Sequence, residues 1–423
     1  MTGRSAGGSF TVIRDPIWNN IELDSEALAV LDTEPFQRLR YVRQLGHTFL
    51  VYPTAHHTRF EHALGTYHLT RRCIRMLDER GELDGVSDED RTVAQFAGLL
   101  HDIGHYPFSH ALEETGLPNH EIISLKHFDR PDLKTALDGI GVPNIAKRLG
   151  ELIAGESNSP LQGLISGSLD LDKLEYLSRD ARMCGVPYGT VDVDRLLQAI
   201  TVVRNDNDEL AIAIHEKGIS ALESLVFGRY QMYRNVYWHH AVRSATAMFK
   251  RAVTEAIARN EIDLDTIAFS TDDALVELLA ETSQHELVLG LKRRRLYKRL
   301  VEISGADVPA DAGDWIANNP KLLTKVENHL AAQLGLKPGE ILVDFPRKAK
   351  MLDVDMLLKT EPGDVVHLGT GQGAIRLGID RVAEELHSRA RNLRVFAKER
   401  IEFDPNRIME IVSRSEQELQ AAL

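Results

Sequence analysis

The stretch LLHDIGHYPFSH, residues 99–110, opens apolar and then sets out His101, Asp102, His105 and His110. The apolar lead-in FAGLL predicts that His101 and Asp102 lie on a helix. Neighbouring helical residues diverge by about 100°, so joint use of this pair requires an ion over the ridge between them, with Gly104 relieving crowding. His105, one turn beyond His101, would point to the same side. Upstream, RFEH supplies His62; downstream, LDLDKLEYLSRD supplies Asp172. Two imidazoles and two carboxylates suit a divalent transition metal with positions left open for water and substrate. Such a metal turns water into a nucleophile near neutral pH. A lone helical His is most often structural, so it is the joint pattern that points to a metal.

The rest of the chain sets the frame. At 423 residues it exceeds one ordinary core, which predicts two domains or one large elaborated domain. A hydrophobic content of 43% and a charged content of 27% are those of a soluble globular protein. No run approaches the roughly 20 apolar residues of a membrane helix. The start, MTGRSAGGSF, reads as a short flexible leader over residues 1–10 without the apolar core of a signal peptide. Cys73 and Cys184 are the two cysteines, both in apolar contexts, which points to packing and to a cytoplasmic setting. A net charge of −13 argues against a nucleic-acid surface but not against an anionic small substrate met by local cations.

Helical periodicity dominates. Residues 23–46, 62–81, 89–105, 220–260 and 380–394 each read as helix. Strand candidates are short: residues 10–15, 209–214, 340–346, 364–369 and 393–398. The expected fold is mainly α: a helical core over residues 11–262 and a smaller C-terminal helical, mixed α+β region over 263–423 that reads as an assembly element. The break falls at EIDLDTIAFSTDD, residues 261–273. The basic run Lys292, Arg293, Arg294, Arg295, with Lys298 and Arg299, reads as a solvated helix face rather than a phosphate-binding surface.

DPIWNNIEL, LDTEPFQRLRYVRQLG, RFEHALGTYHL, LLHDIGHYPFSHALEE and LDLDKLEYLSRD resemble the HD-domain phosphohydrolase superfamily. Within it they are most similar to the deoxynucleoside triphosphohydrolases that join a sterile alpha motif to an HD domain, and to their bacterial relatives. The resemblance runs from about residue 10 to about residue 245. It implies that His62, His101, Asp102 and Asp172 hold the metal, which could be Fe, Mn, Mg, Ni, Co or Zn, with a second Mg accompanying substrate. It makes His105 and His120 catalytic, with Glu113 orienting a catalytic histidine and His110 lining the site. A histidine titrates near operating pH and so can handle protons. The resemblance further assigns Arg59, Lys173 and Arg229 to phosphate oxygens. Tyr176 and Asp180 would meet the sugar, Tyr237 would help exclude a 2′-hydroxyl, and Gln44 and Leu45 would lie near base and sugar.

The implied activity is metal-dependent hydrolysis of deoxynucleoside triphosphates to deoxynucleoside and inorganic triphosphate. Rival readings are an HD-family hydrolase of other nucleotides (monophosphates, ribonucleotides or signalling nucleotides) and a non-catalytic nucleotide or nucleic-acid binding module. Proton-transfer histidines beside a metal set argue against the second. The resemblance also implies a homo-oligomer, dimer or tetramer, and an activating nucleotide such as GTP read by Asp32, Gln37 and Arg40. Against activation, Thr11 stands where the family places a lysine, and Asn235 and His240 stand where it places basic residues.

Overall fold

The computed structural model describes residues 10–309, 312–348, 352, 354–369 and 380–423, so all of the expected leader but Phe10 lies outside the described residues. The chain opens with a hairpin, β1 (Thr11–Asp15) against β2 (Asn19–Leu23), with Ile13 opposite Ile21. Residues 23–46, expected as one helix, are broken into α1 (Ser25–Leu31), α2 (Glu34–Arg38) and a 3₁₀ turn over Leu39–Tyr41. Pro35 sits in the first turn of α2. Lacking an N–H, it cannot carry a hydrogen-bond ladder through from α1 but is well suited to starting a new helix.

The long helix α3 (Arg59–Glu79) starts at Thr58, whose backbone N–H donates to Glu61 Oε2 at 2.8 Å. The next, α4 (Asp88–Leu100), ends at Leu100. His101 is therefore its cap, and Asp102 and His105 lie on the turns that leave it, not on the helix as expected. Gly104 explains the stop: a Cβ there would stand 2.2 Å from the carbonyl oxygen of His120. That close approach seats the turn against the start of α5 (His120–Phe128). Farther on, α6 (Leu171–Cys184) packs along α3. A Cβ on Gly65 would stand 2.1 Å from Glu175 Oε1, so this glycine makes room for a carboxylate beneath α3.

Residues 220–260 are also not one helix. α7 (Ile219–Met232) passes through a π-helical segment, Tyr233–Tyr237, before α8 (His240–Ala258) restarts. Such wider turns recur at functional sites because they re-aim side chains. The expected strands are present as β1, β4 (Leu210–His215), β6 (Ile341–Asp344), β8 (Val365–Leu368) and β9 (Asn392–Ala397). Four more, β2, β3 (Ile200–Arg204), β5 (Lys298–Ser304) and β7 (Met356–Lys359), were not foreseen. The basic run is solvated but is no helix face: Lys292 ends a helix, Arg294 turns with φ 53°, and Lys298 opens β5.

The strands form the hairpin, a sheet ordered β3-β4-β7-β8 and a sheet ordered β5-β9-β6. β7 runs parallel to β4 with Ala213 opposite Leu357, so a C-terminal strand extends a sheet begun at Ile200. A hydrophobic cluster likewise joins Tyr106 and Phe108 to α8, Leu342 and Phe396. Both regions thus share packing across residue 262. Cys73 and Cys184 are buried and unpaired. Among the described residues no helix is long and apolar enough to cross a membrane.

Candidate metal centre and active site

His62 comes from the first turn of α3, His101 from the cap of α4, Asp102 from the turn beyond it, and Asp172 from the first turn of α6. His62 Nε2 lies 3.1 Å from His101 Nε2, 3.0 Å from Asp172 Oδ1 and 3.2 Å from Asp102 Oδ2. The orientation of both rings is set from behind. His62 Nδ1 donates to Glu175 Oε2 at 2.5 Å, and His101 Nδ1 donates to the carbonyl oxygen of Gly98 at 3.1 Å. Since those partners only accept, both Nε2 atoms present lone pairs to each other and to two carboxylate oxygens. Such an arrangement repels itself unless a cation lies among the four, and it matches Nε2 coordination braced by outer carboxylates. The donor set therefore fits a divalent metal. The same demand for positive charge shows in titration: burial pulls the His62 pKa down, but Glu175, Asp102 and Asp172 more than reverse this and raise it well above the usual range, so that without a metal a proton takes the place of the cation at Nε2.

Glu175 is itself held. Its Oε1 accepts from Trp18 Nε1 at 3.0 Å and from Arg179 Nε at 2.7 Å, and Arg179 pairs with Asp15 at 3.0 Å. The N-terminal hairpin thereby reaches the back of the metal centre. Sequence reasoning passed over Glu175, Trp18 and Arg179; the only local signal was a second carboxylate one turn beyond Asp172.

Beside the centre stand three histidines. His105 and His120 stack at 3.8 Å between ring centroids, and His110 meets His105 edge-on at 4.6 Å. Glu113 links two of them: Oε1 accepts from His120 Nδ1 at 2.6 Å and Oε2 from His110 Nδ1 at 2.9 Å. Burial lowers the His120 pKa, but the bond to Glu113 and its charge outweigh this and raise it above the usual value. Burial and the nearby Arg59 and His120 hold His105 well below its usual value. One stacked ring thus favours the charged acid and the other the neutral base. The loop carrying them bends through Phe108 and Ser109, both at positive φ, near 60°. Asp272 stabilises this bend by accepting from Phe108 N at 2.8 Å.

His101, Asp102, Asp172 and the three histidines open onto a cavity of about 620 Å³, with His62 buried outside its lining. Arg59 lines it while donating to Asp102 Oδ2 at 2.5 Å and to Ser109 Oγ at 3.0 Å. Lys173 lines it with its ammonium on Asp170 and the Gly167 carbonyl. Arg229 lines it over the Tyr233 ring, with no carboxylate in ion-pair reach among the described residues. Asp180 takes His57 Nε2 on one oxygen and the Tyr237 hydroxyl on the other, each at 2.7 Å. Tyr176, Tyr237, Gln44, Leu45 and His110 share the wall, and Gln44 Oε1 is buried without a partner.

Asp32, Gln37 and Arg40 lie apart from this cavity. Gln37 Nε2 donates to the Leu31 carbonyl at 2.8 Å, Arg40 Nε donates to Gln37 Oε1 at 2.8 Å, and the Arg40 guanidinium covers Phe60 at 3.5 Å. Asp32 is exposed.

Known proteins match this arrangement. The HD domain family matches residues 59–161, and the HD associated region matches residues 191–376. An uncharacterized protein of Methanocaldococcus jannaschii is 36% identical over 354 residues, covering 83% of this chain and 72% of that one. The deoxynucleoside triphosphate triphosphohydrolase SAMHD1 of Homo sapiens is 25% identical over 453 residues, covering 92% and 70%. The crystal structure of a hypothetical protein from Aquifex aeolicus superposes with a TM-score of 0.69 at 25% identity, covering 96% of this chain and 99% of that one.

Proposed function

The chain belongs to the HD-domain phosphohydrolase superfamily, and from that premise we propose that it hydrolyses deoxynucleoside triphosphates to deoxynucleoside and inorganic triphosphate. The observation that carries this reading is a fitted metal set opening, together with a charged-acid histidine, onto a cavity with several cations. When bound, the metal supplies Lewis acidity toward phosphate oxygen and lowers the pKa of water. His62, His101, Asp102 and Asp172 would hold it.

The remaining work falls to side chains. The oxygen of water bonds to the α-phosphorus while the bond from that phosphorus to the 5′-oxygen breaks. His120 gives its proton to the departing 5′-oxygen, and Glu113 keeps His120 charged until then. Neutral His105 holds the water in line and accepts the proton that the water gives up. Arg59, Lys173 and Arg229 neutralise phosphate charge. Tyr176 underlies the sugar, Asp180 accepts its 3′-hydroxyl through a remaining lone pair, and Tyr237 crowds the 2′-position. The same reading includes a homo-oligomer, dimer or tetramer, and activation by a nucleotide such as GTP at Asp32, Gln37 and Arg40.

The test is a product assay on purified protein with each deoxynucleoside and ribonucleoside triphosphate, Mn²⁺ or Mg²⁺, with and without GTP. Intact triphosphate is the expected product. Pyrophosphate or monophosphate would place the cleaved bond elsewhere, and equal turnover of GTP and dGTP would favour a broader nucleotide hydrolase.

A further inference from the structure

The cavity has a wall supplied by the C-terminal region. Just beyond β6, Arg347 and Lys348 line the same space as Arg59, Asp172 and Arg229. What ties this wall to the rest is a buried charge network. Asp344, the last residue of β6, takes Arg243 Nε and Nη2 at 2.9 and 2.6 Å. Arg243 also reaches Glu114 with bonds of 3.1 and 2.9 Å, and Lys250 donates to Glu114 at 2.8 Å. Glu114 follows directly on Glu113, the partner of His120. The strand end that carries Arg347 is therefore fastened to the loop that carries the proton-handling residues.

The two cations are differently placed from three of the others around the cavity, while Arg229 likewise has no carboxylate in ion-pair reach among the described residues. Arg59, Lys173 and Arg243 are committed to carboxylates on the protein. Arg347 Nε rests on the Ala317 carbonyl at 3.3 Å, which leaves its charge without compensation from that neutral partner. Lys348 pairs with Asp314 at 2.9 Å, with 52% and 31% of the two side chains exposed. Asp314 is held independently by Arg391 at 2.9 Å, so Lys348 can leave it without stranding that carboxylate. Exposed pairs of this kind are weak and readily exchanged. A polyphosphate chain offers such cations more charge than a lone carboxylate does.

We infer that Arg347 and Lys348 bind the polyphosphate chain of the substrate, so that the C-terminal region completes the active site. This rests on the reading of the cavity as a nucleoside triphosphate site. The probe is inorganic tripolyphosphate, titrated calorimetrically into the metal-loaded full chain, which requires no turnover. Arg347→Ala and Lys348→Ala should each weaken binding about tenfold, and the double variant more. Arg293→Ala, an exposed arginine of the basic run, should leave it unchanged. In turnover the same two substitutions should raise KM more than they lower kcat. Unchanged affinity in the double variant, or wild-type protein that does not bind tripolyphosphate, overturns the inference. Tripolyphosphate binding that depends on Arg347 and Lys348 in a protein that cleaves no deoxynucleotide would sustain it while removing the proposed reaction.

Discussion

His105 and His120 stack face to face, yet their surroundings drive their protons in opposite directions. The difference is Glu113, which contacts His120 and not His105. Because Glu113 raises the His120 pKa against burial, the acid form persists as pH rises, and activity should fall only above that raised value. In Glu113→Gln the charge is gone, and burial is opposed only by Glu121 and Asp102. The alkaline limb of the kcat profile should then move to lower pH, and His120→Ala should cost roughly 10²–10⁴-fold in kcat. An alkaline limb that stays in place in Glu113→Gln would remove His120 as the acid. On the sugar side, Tyr237→Ala should raise the ratio of ribonucleotide to deoxynucleotide kcat/KM about tenfold, since a steric block worth one group is of that order. An unchanged ratio would mean that the 2′-position is read elsewhere. Short motifs carry most of these residues, which is why HDIGH, RFEH and LDLDK let them be picked out. Glu175 and His57 escaped because a contact spanning more than a hundred positions leaves no local pattern.

Two interruptions in otherwise periodic helices do the aiming. α4 stops so that His101 and Asp102 can both turn inward, which neighbouring positions on a continuing helix, about 100° apart, would make difficult. The π segment before α8 presents Tyr233 and Tyr237 to the cavity. Periodicity predicts the helices on either side but not the stop of α4, because that stop answers to packing, Gly104 against His120. The hairpin is the least expected contributor. Through Trp18 and the Asp15–Arg179 pair it fixes Glu175, and through Glu175 the ring of His62. Glu175→Gln should therefore weaken metal binding about 10–100-fold, as loss of an outer carboxylate does. Trp18→Phe should act in the same direction but less. Metal affinity measured by chelator competition on the full chain checks both, and wild-type affinity in Glu175→Gln would make the brace irrelevant.

The division expected near residue 262 has a physical basis in the sequence, where helical periodicity lapses, but packing runs across it. β7 completes a sheet with β4, and Asp344 brings a C-terminal charge into contact with Arg243 and Lys250 on α8. No local pattern announces such pairings, since each partner alone reads as an ordinary surface charge. Their burial has a consequence for stability. Asp344→Ala leaves Arg243 and Lys250 sharing one carboxylate, Glu114, in a largely dry site, and breaking a buried pair in this way costs about 3–5 kcal/mol. A second buried pair serves as the control: Arg251 and Glu327, 2.6 Å apart, join α8 to the helix Pro320–Gln333 with no hydrogen bond or ion pair to the loop of Glu113 and His120 among the described residues. Both Asp344→Ala and Glu327→Ala should lower the denaturant midpoint. Only Asp344→Ala should also lower kcat of the folded protein, because only its network ends beside Glu113. Equal kcat in the two variants would reduce the Asp344 network to a structural tie and leave the loop of Glu113 and His120 to hold its own geometry.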